Sequence, residues 1–595
     1  AMHGEAPPLE TAAERRLPGA GRGPPGSAPV AAAVALLGAL LFLPGLGSVG
    51  LVDPWEPHYA EVARQMLVRS DWVHPWWREA GFFSKPPLVL WSGAAGMALL
   101  PAALEWGIRL PIALLCLGGA AFAAAAVARL STRRAGLLAG TALVTAPFLT
   151  LFARQAVPDG ALVALSTAGG LALAVSLLDD GAAAGWALSG WVLLGLATLA
   201  KGPIGLALPA GALLGWLVVT GEWRRAPRLL ALVRVGGVPV PVGPLAFVAV
   251  AAPWYAAMAS WPVRDESGWT FLQRFWLHDH LRRLTSGAHV PVAHVPVAGG
   301  GLVAYLPWIA LGTFPWVAAF PGGLATALRW RAGARDGAAG LALLCGLWAT
   351  LGLLLFGFAA TSYPHYVLPV VPPLLVLAAL FLDRLADDGL RGHAVAGILG
   401  AAAFVGTGRA LLRTPRAFTS LFTYDPRRTF PAGIDPGPAL AVIGGLGLLG
   451  LAIAAMRRSG RGAAGTLAAV ALALAAWLSW VHWRDVVPHW SQRDAFAALQ
   501  AEGPAPGELV VAWRMNWKGE TFYGRDRVLE VLDPARMREV AGRPGRIWVI
   551  TEDERIPSLA GVVGSARRLR VAGPRSGRYR LVELSDAPAT EGALP

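Results

Sequence analysis

Long apolar runs, broken by short polar segments, recur along almost the whole chain. Runs long enough to cross a bilayer, roughly 17–25 residues, fall near 30–48, 107–128, 135–152, 160–178, 186–200, 203–220, 237–258, 301–320, 338–359, 366–383, 393–411, 438–456 and 464–482. They predict a polytopic α-helical membrane protein of about thirteen transmembrane helices. A further apolar stretch, 86–104, sets the orientation of everything that follows it. The cationic loops decide the matter. With the N-terminus inside and 86–104 lying in the interface, Arg129/Arg133/Arg134, Arg224/Arg225/Arg228/Arg234, Arg329/Arg331/Arg335, Arg384/Arg391 and Arg457/Arg458/Arg461 all face the cytoplasm. Short cationic loops are retained on that side. The other choice sends most of them out.

This topology puts loop 49–106, loop 259–300, the shorter loop 412–437 and everything after about 483 on the outer face. Within the first loop Tyr59, Val62, Ala63, Met66 and Leu67 share one helical face, and Glu61, Arg64, Gln65 and Arg69 share the other. That pattern predicts a short helix lying in the interface plane. Residues 484–586 change character. Strand-like runs at Leu509–Trp513, Ile547–Thr551 and Tyr579–Leu584, with a helix-like stretch Asp533–Val540, predict a small outer α/β domain. Residues 1–28, rich in Pro, Gly and Ala with Arg15, Arg16 and Arg22, read as a disordered cytoplasmic tail, and 587–595 as a second tail. The first apolar run has no clean cleavage signature and is expected to stay as a span, opening a transmembrane domain over 29–483.

Composition narrows the class. With 55% hydrophobic and 15% charged residues, a water-soluble body is excluded. A net charge of +14 would suit nucleic acid. The arginines, however, sit in short loops between spans, so topology and anionic lipid account for them. Cys116 and Cys345 both lie in apolar runs and make neither a disulfide framework nor a cysteine metal site.

Ionisable groups at span ends are costly and carry functional hypotheses. Asp53-Pro-Trp-Glu56 sets two carboxylates three apart, which suits a base, an acceptor anchor, a cation site or an N-terminal capping box. In Ser84-Lys85-Pro86-Pro87 the lysine is held in an extended segment, fit to meet a phosphate or to snorkel. Asp159 opens a helix after Pro158, as a site acid or an N-cap. Lys201-Gly202-Pro203 puts a cation at a chain break, and His278-Asp279-His280 with Arg283 lies in the second long loop.

These stretches, in order over nearly the whole chain, resemble the GT-C glycosyltransferases, in particular the bacterial aminoarabinose transferases and protein O-mannosyltransferases. The resemblance rests on Asp53–Glu56 with Tyr59–Arg64, Gly81–Leu90, Arg109-Leu110-Pro111, Arg154–Asp159, Lys201-Gly202-Pro203, Asp279–Arg283, Tyr305-Leu306-Pro307, Tyr366-Val367-Leu368-Pro369 and Lys518–Arg525. It implies a GT-C fold and inverting transfer of a sugar from a polyprenyl (undecaprenyl) phosphate donor to a periplasmic-face acceptor such as lipid A, in the bacterial inner membrane. The alternative acceptor is protein or another envelope glycan. By resemblance Asp53, Glu56 and Asp159 are the catalytic acids. Lys85, Lys201 and Arg283 would bind the donor phosphate, and Tyr59, Arg64, His280, His365 and Tyr366 complete the site.

Two departures stand out. Ser84 occupies a place where the aminoarabinose transferases carry Glu, which removes a metal ligand and leaves His280 and Asp53 as the candidates for a divalent ion. Thr361–His365 lacks a lysine that the family has there, and His365 is the substitute. The rival readings are a transporter of a lipid-linked intermediate and a non-catalytic receptor. Charges in outer loops and the lack of repeated halves disfavour the transporter.

Overall fold

The computed structural model describes residues 27–285, 302–329, 337–359, 363–415, 430–573 and 577–586. The expected C-terminal tail and most of the N-terminal one lie outside these residues, and the first helix already begins at Ser27. Among the described residues nine helices are long and apolar enough to cross a membrane. The count reaches eleven if two bent pairs are spans. Three apolar helices are shorter: Ser27–Phe42, Leu88–Leu99 and Ile204–Thr220. By length and composition the number is therefore nine to eleven, against the thirteen runs read from the sequence. The stretch 86–104 forms only the 12-residue helix Leu88–Leu99. At 1.5 Å per residue this is about 18 Å, short of the ~30 Å hydrocarbon core.

Three expected spans are corrected. The run 135–152 is two helices, Arg133–Thr145 and Pro147–Ala153, bent by 63°. Pro147 cannot donate to the ladder, and the Thr150 hydroxyl donates instead to the Val144 carbonyl across the break at 3.1 Å. The run 301–320 is also broken, into Leu302–Thr313 and Trp316–Leu328 at 115°. The two breaks meet, because Trp316 Nε1 donates to Thr145 Oγ1 at 3.0 Å. The run 237–258 starts late, since Leu232–Val235 and Val238–Pro241 pair as an antiparallel hairpin before helix Val242–Ser260.

The helix Pro158–Leu178 is buried along its whole apolar length, as an all-round apolar sequence requires. It packs against Leu104–Leu130 and Ala184–Lys201. A Cβ at Gly169 would stand 3.0 Å from the Gly190 carbonyl, and one at Gly190 3.0 Å from the Gly169 carbonyl. Small residues let these backbones close where apolar area alone gives no drive. Asp159 is thereby fixed at the mouth of the bundle.

The last long helical stretch, Gly460–Trp490, runs on into the C-terminal domain. That domain holds a five-stranded sheet in the order Leu529–Val531, Leu509–Trp513, Ile547–Glu552, Tyr579–Asp586, Arg567–Ala572. The first three strands are parallel and the last two join antiparallel. Asp533 caps helix Pro534–Ala541 by accepting from Arg536 N at 3.0 Å. The strands read from the sequence are present; Leu529–Val531 and Arg567–Ala572 were too short or too charged to show.

The first loop carries helix Trp55–Arg69. It packs on Leu88–Leu99. Its polar side does not face water, because Glu61 and Gln65 are buried, and the helix also packs against helix Gly519–Tyr523 of the C-terminal domain. On the same helix the His58 ring meets Trp77 and Phe82 edge-on at 4.2 and 5.1 Å. Burial first, then the charges of Lys518, Lys85 and Arg78, holds His58 well below its ordinary value of 6.5.

The loop is locked from below by one guanidinium. Arg109 gives Nε and Nη2 to the two oxygens of Glu56 at 2.8 and 2.7 Å. Its other N–H groups reach the carbonyls of Leu46, Val49 and Gly50 at 2.7 to 2.8 Å. Glu56 also accepts the backbone N–H of Val52 at 2.7 Å and of Ala156 at 2.8 Å. Neither side chain is accessible. A buried pair holds its charges only when the remaining donors and acceptors are satisfied, and here all five N–H groups are.

Two outcomes follow. Arg109→Met strands the Glu56 carboxylate and should cost about 3–5 kcal/mol, read as lost yield of monodisperse protein and a lowered thermal midpoint; an unchanged midpoint refutes the lock. For His58 the unfolded chain takes a proton near pH 6.5 and the folded chain does not, so stability falls as pH drops below that value. Between about pH 7.5 and about pH 5 the wild-type midpoint should fall further than that of His58→Gln, and equal falls contradict it.

Candidate functional site

Asp53 lies just before helix Trp55–Arg69 and is buried. It does not cap that helix: Pro54 holds the cap position with no side-chain bond. The Asp53 backbone N–H donates to the Trp490 carbonyl at 2.9 Å. Its Oδ2 accepts from Gln492 Nε2 at 3.1 Å. Glu56, expected beside it as a second catalytic acid, accepts from Arg109 and from the backbone of Val52 and Ala156, which makes it an anchor of the first loop.

The second group gathers at the mouth of the bundle. Lys201, the last residue of helix Ala184–Lys201, forms an ion pair with Asp159, the second residue of Pro158–Leu178. Here too the N-cap reading fails, because no side chain caps that helix. His365 and Lys85 are the next groups to act electrostatically on Asp159. Lys85 also donates to the Ser84 carbonyl at 2.9 Å and the Ser84 hydroxyl at 3.0 Å. From the first loop it acts electrostatically on both Asp159 and His58.

His280 reaches the same place from the second loop. Gly202 has φ +98°, and a Cβ there would lie 2.8 Å from His280 Nε2. Glycine is needed on both counts. The ring is further fixed by Nδ1 at 2.6 Å from the Phe275 carbonyl. His365 and Tyr366 sit on the segment Pro364–Val370, with their rings 5.0 Å apart. A small apolar cleft lined by Phe42, Cys116, Phe152, Val163 and Leu368 has Asp159 in its wall.

Two further candidates serve packing. Tyr59 is buried among Trp55, His58 and Phe82. Arg64 is held by Glu61, at 2.7 Å through Nε and 2.6 Å through Nη2. Burial pushes the Glu61 carboxyl up from its ordinary value, against the pull of Arg64 and Gln65. The side chain of Arg283 lies outside the described residues. Among the described residues no group of three His, Cys, Asp or Glu is placed to hold a metal ion, so Asp53 and His280 do not make a metal centre there and no step is assigned to one.

Sequence reasoning missed Gln492 and Glu520, both fully buried. It also missed Trp483, whose ring lies 5.6 Å from the guanidinium carbons of both Arg109 and Arg154. A glutamine in a polar juncture carries no local signal. Glu520 stood inside the quoted Lys518–Arg525 stretch and could have been singled out there.

Residues 84–242 match the family described as dolichyl-phosphate-mannose-protein mannosyltransferase. A protein of Erwinia tasmaniensis, named undecaprenyl phosphate-alpha-4-amino-4-deoxy-L-arabinose arabinosyl transferase, is 30% identical over 364 residues, 59% of each chain. Its counterpart in Edwardsiella ictaluri is 27% identical over 371 residues, 62% of each chain. The chain thus spans about 59–62% of the length of these curated relatives. The crystal structure of ArnT from Cupriavidus metallidurans bound to undecaprenyl phosphate superposes with a TM-score of 0.67 at 24% identity, covering 95% of this chain and 98% of that one. The superposition takes in the membrane bundle and the C-terminal sheet together, so this chain has the fold seen in ArnT.

Proposed function

We propose that this multi-pass membrane protein transfers a sugar from a polyprenyl phosphate to an acceptor at the outer membrane face. The observation that carries the reading is the Asp159–Lys201 pair, with Lys85 and His365 around it, in the wall of an apolar cleft. A phosphate on a long apolar tail fits that combination: cations for the head, a greasy slot for the chain. The curated relatives name an undecaprenyl phosphate sugar as donor, which supports the same class here. The outer face is assigned to the loops and the sheet domain because Arg129, Arg134 and Arg228 lie at helix ends at the other end of the bundle. There they pair with Asp179, with Asp383 and Asp387, and with Asp180. That end is the cytoplasmic one by the positive-inside rule.

In the proposed step an acceptor oxygen attacks the anomeric carbon from the side opposite the phosphate. The bond from that carbon to the phosphate oxygen breaks, and its electron pair leaves with the phosphate. Configuration inverts. The leaving group gains negative charge, which Lys85 meets directly; Lys201 shares its charge with Asp159. Fixed cations at a site of developing charge favour the transition state over the ground state. Asp53 takes the proton of a hydroxyl acceptor. For an acceptor that is already an ionised phosphate, as on lipid A, it orients the attack and no base is needed.

One observation favours a transporter instead. Two broken helices meet through Trp316 and Thr145, as discontinuous helices do at transport sites. The charged groups, however, gather at the bundle mouth and not at that junction.

Purified protein in liposomes, given radiolabelled undecaprenyl-phosphate sugars and a total envelope extract, should label a lipid or glycan fraction. Lys85→Ala should lower that transfer about 100-fold with an unchanged thermal midpoint. Full transfer by Lys85→Ala removes the phosphate clamp, and no label in any fraction, with an active control enzyme, removes the transferase.

A further inference from the structure

The outer domain does more than cover the first loop. Gln492 follows the last long helical stretch and is fully buried. Its Nε2 lies 3.1 Å from Asp53 Oδ2 and 2.6 Å from Glu520 Oε2. A side-chain amide carries two N–H hydrogens on one nitrogen, and two carboxylates are placed to accept them. The far carboxylate is itself anchored, since Glu520 Oε1 accepts the backbone N–H of Trp517 at 2.9 Å and of Lys518 at 3.2 Å. A rigid backbone turn in the outer domain thus reaches Asp53 through one amide.

Residue 519 closes the arrangement. A Cβ there would stand 2.5 Å from Asp53 Oδ1 and 2.8 Å from Gln492 Nε2. Glycine lets the outer-domain backbone lie directly against the carboxylate. The three parts come from three regions of the chain: the first loop, the end of the membrane bundle and the outer domain.

We infer that Gln492 is a positioning residue for Asp53, and that through it Glu520 makes the outer domain part of the catalytic apparatus. The inference rests on the glycosyl-transfer reading with Asp53 facing the acceptor. Without the amide, two carboxylates face one another with no donor between them. Like charges at short range repel, and Asp53 turns away from the orientation the acceptor needs. A misplacement of about 1 Å in a reacting group can cost about 100-fold in rate.

The second link between the same regions provides the control. Tyr523 Oη accepts the Leu51 backbone N–H at 2.8 Å and lies 3.2 Å from Glu105 Oε1. Tyr523→Phe therefore loosens domain docking without touching Asp53. Steady-state transfer is measured on wild type, Gln492→Met, Glu520→Gln and Tyr523→Phe, each with its thermal midpoint. Gln492→Met, which keeps length and loses the amide, should lower kcat about 100-fold with donor KM within about threefold. Glu520→Gln, matched in shape to the native side chain, should lower kcat about tenfold and stands in if Gln492→Met does not fold. Tyr523→Phe should keep kcat within about twofold at a comparable loss of midpoint. Wild-type kcat in Gln492→Met, or in Glu520→Gln where only that variant folds, overturns the inference and leaves the function standing; so do equal losses in Tyr523→Phe. A wild-type protein that transfers no sugar overturns the function itself.

Discussion

The salt bridge between Arg109 and Glu56 ties the first loop to the membrane bundle. It is buried, two-pronged and saturated: the guanidinium also grips the carbonyls of Leu46, Val49 and Gly50, and the carboxylate also holds Val52 and Ala156. One contact therefore ties the start of helix Leu104–Leu130 to the first loop and to the chain three residues before Asp159. Isolated buried charges are expensive, and a pair is tolerated only when each lone pair and proton is matched. Here that matching fixes the backbone on either side of Asp53. Trp483, lying between Arg109 and Arg154, carries the same lock into the last long helical stretch.

With the loop fixed, the charges divide by place. At the bundle mouth Lys201 balances Asp159, while Lys85 and His365 add positive character beside an apolar cleft. On the outer-domain side Asp53 and Glu520 face each other across the Gln492 amide. Lys85 acts electrostatically on both His58 and Asp159. In the proposed reaction the first side draws an anionic lipid head, and the second a proton or an acceptor group. Such a division suits a displacement in which leaving group and nucleophile occupy opposite ends.

Much of this was legible in the residues, and what was not has physical reasons. Apolar runs found the bundle because lipid demands them, and Asp533 announced its helix because capping is local. Pro147 and Pro315 stood in the sequence, but a proline inside an apolar run does not tell whether neighbours will satisfy a broken ladder; Thr150 does so here. Glu56 looked like the partner of Asp53 because spacing shows proximity and not orientation. Only the fold reveals that one points into Arg109 and the other towards Gln492. The polar side of Trp55–Arg69 read as wet because nothing local marks the outer domain that covers Glu61 and Gln65.

The most direct measurement compares Glu56→Gln with Asp53→Asn, recording for each the thermal midpoint and the kcat per folded molecule. The account predicts a crossed result. Glu56→Gln loses stability by about 3 kcal/mol or more and keeps kcat in the fraction that folds, while Asp53→Asn keeps its midpoint and loses kcat. A Glu56→Gln protein that melts like wild type and fails to transfer sugar would contradict the separation of anchor from reacting carboxylate.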